Sequence, residues 1–192
     1  MESPLSIALD TENNLAYVGT AVQADAKLFV VDTVTGTRTL LSDSTKGTGP
    51  RLRSVQSIVL DKDNNRLLAA NSNFSDGGFI FAVDLTTGNR SIISGIGVGG
   101  GTPFGSVAYI AFDTANNRLI TTDNRADAVI AVDLTTGDRV EVSGPNVGRG
   151  PLFGAPSGIA LGANNIVFVI DSSVDQLFAL DLITGERVMV AR

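Results

Sequence analysis

An all-β fold, a β-propeller built of four-stranded antiparallel blades with four blades in this chain, is predicted by three observations in the sequence. The first is an internal repeat: Ser6-Ile7-Ala8-Leu9-Asp10 returns as Ser57-Ile58-Val59-Leu60-Asp61, as Tyr109-Ile110-Ala111-Phe112-Asp113 and as Gly158-Ile159-Ala160-Leu161-Gly162. The second is a closing landmark, Asp-x-x-Thr-Gly-x-Arg, whose Asp falls at 32, 84, 133 and 181, a spacing of 48 to 52 residues. The third is the texture between landmarks: short runs rich in β-branched and aromatic residues, bounded by turn residues, with no helical periodicity of useful length. Four strands repeated at this period are the sequence form of propeller blades.

The blades run at about 4–43, 55–94, 107–143 and 156–192, all within one domain, 1–192. Each begins with strand A, the Ile-Ala-Leu type run. A paired-Asn turn follows (Asn13-Asn14, Asn64-Asn65, Asn116-Asn117, Asn164-Asn165), because Asn tolerates the left-handed backbone that a tight hairpin requires. Strand B comes next, as in Leu15 to Thr20, then strand C, ending at the landmark Asp, as in Leu28 to Val31. In the landmark the Asp bonds the turn backbone, the Gly supplies positive φ, and the Arg opening strand D is expected opposite the Asp as an exposed pair.

Composition narrows the function. The chain has 192 residues and a net charge of −6, so its surface repels phosphate backbones and anionic membranes. The expectation is no nucleic acid and no membrane partner. Cys and His are both absent, which removes disulfides, thiolate chemistry, His-based triads and His metal ligands. Any metal site must use oxygen ligands. No segment resembles a signal peptide. The compartment stays open, with a secreted or periplasmic location favoured if a signal peptide has been removed.

Two stretches carry a family resemblance. Leu119-Ile120-Thr121-Thr122-Asp123-Asn124 and Val167-Phe168-Val169-Ile170-Asp171-Ser172 each run from strand B into a loop. Followed by Val129-Ile130-Ala131-Val132-Asp133 and Leu177-Phe178-Ala179-Leu180-Asp181, they resemble blades of the NHL, YncE and SMP-30-like propeller superfamily. The resemblance spans essentially the whole chain. It implies the fold and leaves function open, because that superfamily holds scaffolds, ligand binders and lactonases. Its members usually have six or more blades. Three readings follow: a closed four-bladed monomer, two chains forming an eight-bladed ring, or a segment of a longer propeller. A homo-oligomer is expected, with the two-chain ring favoured over the closed four-bladed monomer.

The candidate sites lie on the long, variable D–A and B–C loops. Asn71, Asp123 and Asp171 end successive B strands. The resemblance to SMP-30-like enzymes implies that such residues could hold Ca²⁺ at the top of a central channel. Their ordinary structural use is to cap the B–C loop. Lys46, Arg51 and Arg53 make a basic patch on the first D–A loop. With Phe74, Arg125 and Arg149 they are the candidate ligand-binding residues. The D–A loops share a Gly-rich core followed by Leu52, Phe104 or Phe153, read as a plug between blades. Gly95, Gly97 and Gly100 fit a dinucleotide fingerprint, but Pro103 and then a strand follow where a helix is required. The favoured reading is a non-catalytic binding or scaffold module without a cofactor. The alternative is a divalent-metal-dependent hydrolase of lactonase type using Ca²⁺ and the B-strand ends.

Overall fold

The computed structural model describes residues 3–21, 25–72 and 78–192. They form four separate four-stranded antiparallel sheets, each with its strands in chain order. Blade 1 contains β1 (Pro4–Asp10), β2 (Leu15–Thr20), β3 (Leu28–Asp32) and β4 (Arg38–Ser42). Blade 2 contains β5 (Val55–Asp61), β6 (Arg66–Asn71), β7 (Phe79–Asp84) and β8 (Arg90–Ser94). Blade 3 contains β9 (Val107–Asp113), β10 (Arg118–Asp123), β11 (Ala128–Asp133) and β12 (Arg139–Ser143). Blade 4 contains β13 (Pro156–Leu161), β14 (Ile166–Asp171), β15 (Gln176–Asp181) and β16 (Arg187–Ala191). The chain divides into two compact units: blades 1 and 2 lie in the unit that ends at Ile93, and the other unit takes Ser94–Arg192 with blades 3 and 4.

The turns form as their residues dictate. Asn14, Asn65, Asn117 and Asn165 all adopt positive φ, between 48° and 62°. In blades 1 to 3 the preceding Asn donates its amide to the Asp ending strand A, as in Asn13 Nδ2 to Asp10 Oδ2 at 2.6 Å and Asn64 Nδ2 to Asp61 Oδ1 at 3.0 Å. In each landmark the Asp accepts from the two following turn N–H groups, as Asp32 does from Val34 and Thr35 at 2.9 and 2.7 Å. Those bonds hold the Asp32, Asp84, Asp133 and Asp181 carboxyls below their ordinary pKa.

Within each unit an apolar face of one blade packs against an apolar face of the other. In the first unit Tyr17, Leu28 and Val30 on blade 1 pack with Ile58, Leu67, Ala69, Phe81 and Val83 of blade 2. In the second unit Ile120, Val129 and Ala131 of blade 3 meet Val167, Val169, Phe178 and Leu180 of blade 4. The loop residues Leu52 and Phe153 are buried in these clusters, as plugs. Phe153 meets Phe178 edge-on, with ring centroids 5.2 Å apart. Full burial of a side chain such as Phe178 stabilises the fold by about 2–3 kcal/mol.

The faces turned away from these clusters differ. On blade 1, Ile7 pairs across to Val18, Val18 to Phe29 and Phe29 to Leu40, so these four share the face turned away from blade 2. Ile7 is 62% exposed there, whereas its counterpart Ile58 in blade 2 is 4% exposed. On blade 4 the row Phe168, Ala179 and Val188 faces away from blade 3, and Phe168, Val188, Ile170 and Val190 are exposed.

Phe178→Ala is expected to cost about 3–5 kcal/mol in urea unfolding. Phe168→Ala, on the open face of the same sheet, should cost less than about 1 kcal/mol in the isolated chain. Equal losses at the two positions would contradict this assignment of faces.

Candidate functional site

The ends of the B strands point at their own loops. Asn71 is buried, and its Oδ1 accepts from the N–H groups of Arg53 and Ser54 at 2.8 and 3.2 Å. Asp123, fully buried, accepts from Gly105 and Ser106 at 2.7 and 2.8 Å, and from Arg125 and Ala126 at 3.1 and 3.0 Å. Asp171 does the same with Gly154, Ala155 and Ser173. Burial alone would raise the Asp171 pKa, but the Gly154, Ala155 and Ser173 N–H groups outweigh it and hold the carboxyl below its ordinary range. Asp123 and Asp171 thus clip a D–A loop to the B–C loop of the following blade, and Asn71 holds the D–A loop before its own blade. Among the described residues no group of three or more Asp, Glu, His or Cys side chains is placed to hold a metal ion.

Asp127, on the B–C loop of blade 3, lies within the electrostatic reach of Asp123 and Asp171. Burial, then Asp171, then Asp123 push its pKa up. Its backbone is left-handed, with φ +51°, as is that of Asp175 in blade 4.

The candidate binding residues Lys46, Arg51, Arg53, Arg125 and Arg149 are all exposed. The Lys46 ammonium donates to the Leu40 carbonyl at 2.5 Å. Arg149 contributes its backbone carbonyl, which accepts from the Arg187 N–H at 2.7 Å. Phe74 lies outside the described residues.

The landmark arginines correct the sequence reading. Arg90, Arg139 and Arg187 are 4–8% exposed, and each reaches into the D–A loop that precedes its blade rather than pairing with its landmark Asp. Arg90 Nε donates to the Pro50 carbonyl at 2.7 Å, and its Nη1 donates to Ser42 Oγ at 2.5 Å and to the Asp43 carbonyl at 2.9 Å. Arg139 repeats this on Thr102, Ser94 and Val98 at 2.8, 2.7 and 2.9 Å. Arg187 repeats it on Pro151, Ser143, Gly144 and Val147. The serine in turn donates to the landmark Gly carbonyl at 2.6–2.7 Å. Arg139 and Arg187 also lie over the rings of Phe104 and Phe153. Burial lowers the pKa of all three guanidinium groups.

A cleft of about 590 Å³ opens in the second unit between β12 and the turn after β15, lined by Arg118, Asp133, Val140, Glu141 and Ile183 among others. Glu141 Oε1 is buried there with no hydrogen-bond partner among the described residues. The sequence carried a signal for it: Leu40, Ile92 and Met189 occupy the equivalent place in the other blades, so a lone Glu breaks an apolar position.

No family model matches the sequence, and no curated protein matches it. Solved structures do resemble it. A chain in the crystal structure of a nidogen–laminin complex is 18% identical with a TM-score of 0.74, covering 99% of this chain and 64% of that one. A structural-genomics protein of unknown function from Bacteroides thetaiotaomicron is 14% identical, with a TM-score of 0.69 over 95% of this chain and 46% of its own. The extracellular domain of a hybrid two-component system from B. thetaiotaomicron is 14% identical, with a TM-score of 0.64 over 99% of this chain and 22% of its own. The chain thus spans less than two thirds of each of these proteins, and the likeness shows a β-propeller fold alone.

Two measurements follow. Asp127→Asn should raise the melting temperature at pH 7. An ionised Asp127 with a raised pKa penalises the folded state, and the penalty fades as pH falls through its folded pKa toward the unfolded value near 3.9. The gain should therefore vanish by about pH 3; an equal gain at both pH values would rule out the charge effect. Separately, because the Asn71, Asp123 and Asp171 oxygens already hold N–H groups, millimolar Ca²⁺ should leave the melting temperature unchanged. An upward shift of several degrees would restore these residues as ligands.

Proposed function

We propose that the chain is a non-catalytic binding or scaffold module that completes a larger ring by associating with a second copy of itself. The observation that carries this is the pair of uncovered apolar faces. Ile7 and Leu9 on blade 1 are exposed where Ile58 and Leu60 of blade 2 are buried or half-buried. Phe168 and Ile170 on blade 4 are exposed where Ile120 and Thr122 of blade 3 are buried. The first is the kind of face that receives a preceding blade, and the second the kind that receives a following one. Blade 4 of one copy therefore suits blade 1 of another, a head-to-tail contact that closes when two copies meet twice.

The non-catalytic reading is supported by how the B-strand ends are used. A metal-dependent hydrolase requires carboxylate oxygens free for the ion and one free carboxylate as base. Asp123 and Asp171 direct theirs at loop N–H groups. Binding falls to the exposed cations on the loops, Lys46, Arg51, Arg53, Arg125 and Arg149, which suit an anionic surface on a partner. Membership of the NHL, YncE and SMP-30-like superfamily belongs to the same reading, and rests on the strand B and C motifs.

Light scattering at micromolar concentration tests the assembly. The expected mass is twice the 19.9 kDa of one chain. Ile7→Asp should return it to a single chain. A single-chain mass for the unaltered protein would sink the two-copy ring.

A further inference from the structure

The D–A loops that follow blades 1 and 3 fold alike. In the first, the Asp43 N–H donates to the Lys46 carbonyl at 3.0 Å; in the second, the Gly144 N–H donates to the Val147 carbonyl at the same distance. The next glycines match too: φ is 77° at both Gly47 and Gly148, and 104° and 105° at Gly49 and Gly150. Lys46 and Val147 therefore hold the same place in the loop. The Lys46 ammonium donates to the Leu40 carbonyl at 2.5 Å, so its side chain folds back over β4.

In the second unit the acceptor is kept and the ammonium is gone. Glu141 opposes Ile130 on β11 as Leu40 opposes Phe29 on β3. The Asp133 N–H bonds the Asp138 carbonyl within the sheet, and main-chain groups along an antiparallel strand alternate inward and outward, so those of Glu141 point off the sheet edge. Its N–H donates outward to Thr102 Oγ1 at 3.2 Å, and its carbonyl leaves by the same edge. Where Lys46 would reach that oxygen, Val147 cannot.

The cleft of about 590 Å³ lies at this place. Val140, Val147 and Ile183 line it, and Val140 and Ile183 are 64% and 76% exposed, an apolar wall left open to solvent. Asp133, Asp138 and Glu141 bring three carboxylates to the lining against one guanidinium, and Arg118 Nε is already held by Asp113 at 2.8 Å. Arg187 lies within electrostatic reach of Glu141, but its donors go to Pro151, Ser143, Gly144 and Val147. The charge of the lining favours a cation, and its walls favour an aliphatic body.

We propose that this cleft binds an organic primary ammonium ion, its nitrogen donating to the Glu141 main-chain carbonyl as Lys46 donates to that of Leu40, and its aliphatic body lying against Val140, Val147 and Ile183. Asp133 and Asp138 accept from the N–H groups of Thr135, Thr136 and Gly100, so they favour the cation by their field. A primary ammonium carries three donors, whereas a quaternary one has none and an alcohol has no charge. The inference goes beyond the assembly reading. The cleft lies wholly within the second unit, so the mass of the chain in solution bears on the two-copy ring and not on this site.

The test is a titration of the full chain with n-hexylammonium chloride, followed by amide chemical shifts. The Val140, Val147 and Ile183 amides should move with a dissociation constant of about 1–10 mM. n-Hexanol and n-hexyltrimethylammonium should bind about tenfold more weakly, the first for want of charge and the second for want of a donor. Val147→Lys supplies the ammonium from the chain itself, as Lys46 does, and should weaken n-hexylammonium binding by about tenfold. Ile183→Thr, which installs the residue found at Thr86 and Thr135, should weaken it by about threefold. In a parallel arm, Nα-acetyl-lysine methylamide binding as tightly as n-hexylammonium would assign the site to a lysine side chain, and weaker binding to a free amine. Equal binding of n-hexanol or n-hexyltrimethylammonium overturns the site. So does binding that survives both substitutions, or no shift up to about 50 mM.

Discussion

The structure depends on a buried guanidinium that hydrogen-bonds to carbonyls and a hydroxyl, and to no carboxylate among the described residues. Arg90, Arg139 and Arg187 are held by main-chain carbonyls and one serine hydroxyl, so their charge is spread over several weak dipoles. Such a group is costly to bury unless every donor is satisfied. That requirement shapes everything around it. The loop must curl to aim its carbonyls inward, which needs glycines of positive φ such as Gly47, Gly49, Gly148 and Gly150. The curled loop then places Leu52 or Phe153 between two sheets, where it joins the apolar cluster.

Much of this was legible in the sequence, and the division between legible and illegible follows distance along the chain. The paired-Asn turns and the Asp-x-x-Thr-Gly bonds close within three or four residues, so residue type alone implies them. The strand order followed because each hairpin joins neighbours. The role of the arginine did not follow, because its acceptors lie some 36 to 48 residues earlier. Nearness in sequence suggested the landmark Asp, and that carboxylate is engaged by its own turn instead.

Asn71, Asp123 and Asp171 show a subtler limit. Their equivalence across blades suggested a common target for three side chains. The repeat imposes equivalence of environment, and here the environment is each blade's own loop, reached by bonds spanning 16 to 18 residues. A repeated polar residue is thus first a solution to a repeated local problem. The departures from the repeat are the more informative positions: Glu141 in an otherwise apolar column, and Ala191 in a column of serines.

The arginine bonds also displace the unit of cooperativity from the unit of duplication. Counted by sequence, each D–A loop trails the blade that precedes it. Counted by bonds, it belongs to the blade that follows. The boundary between the two compact units obeys the second count: it falls at Ile93 and Ser94, ahead of the loop rather than behind it. A module cut for grafting or shuffling should therefore begin at the strand-end serine and carry its leading loop, since a cut made at strand A would separate every arginine from its acceptors.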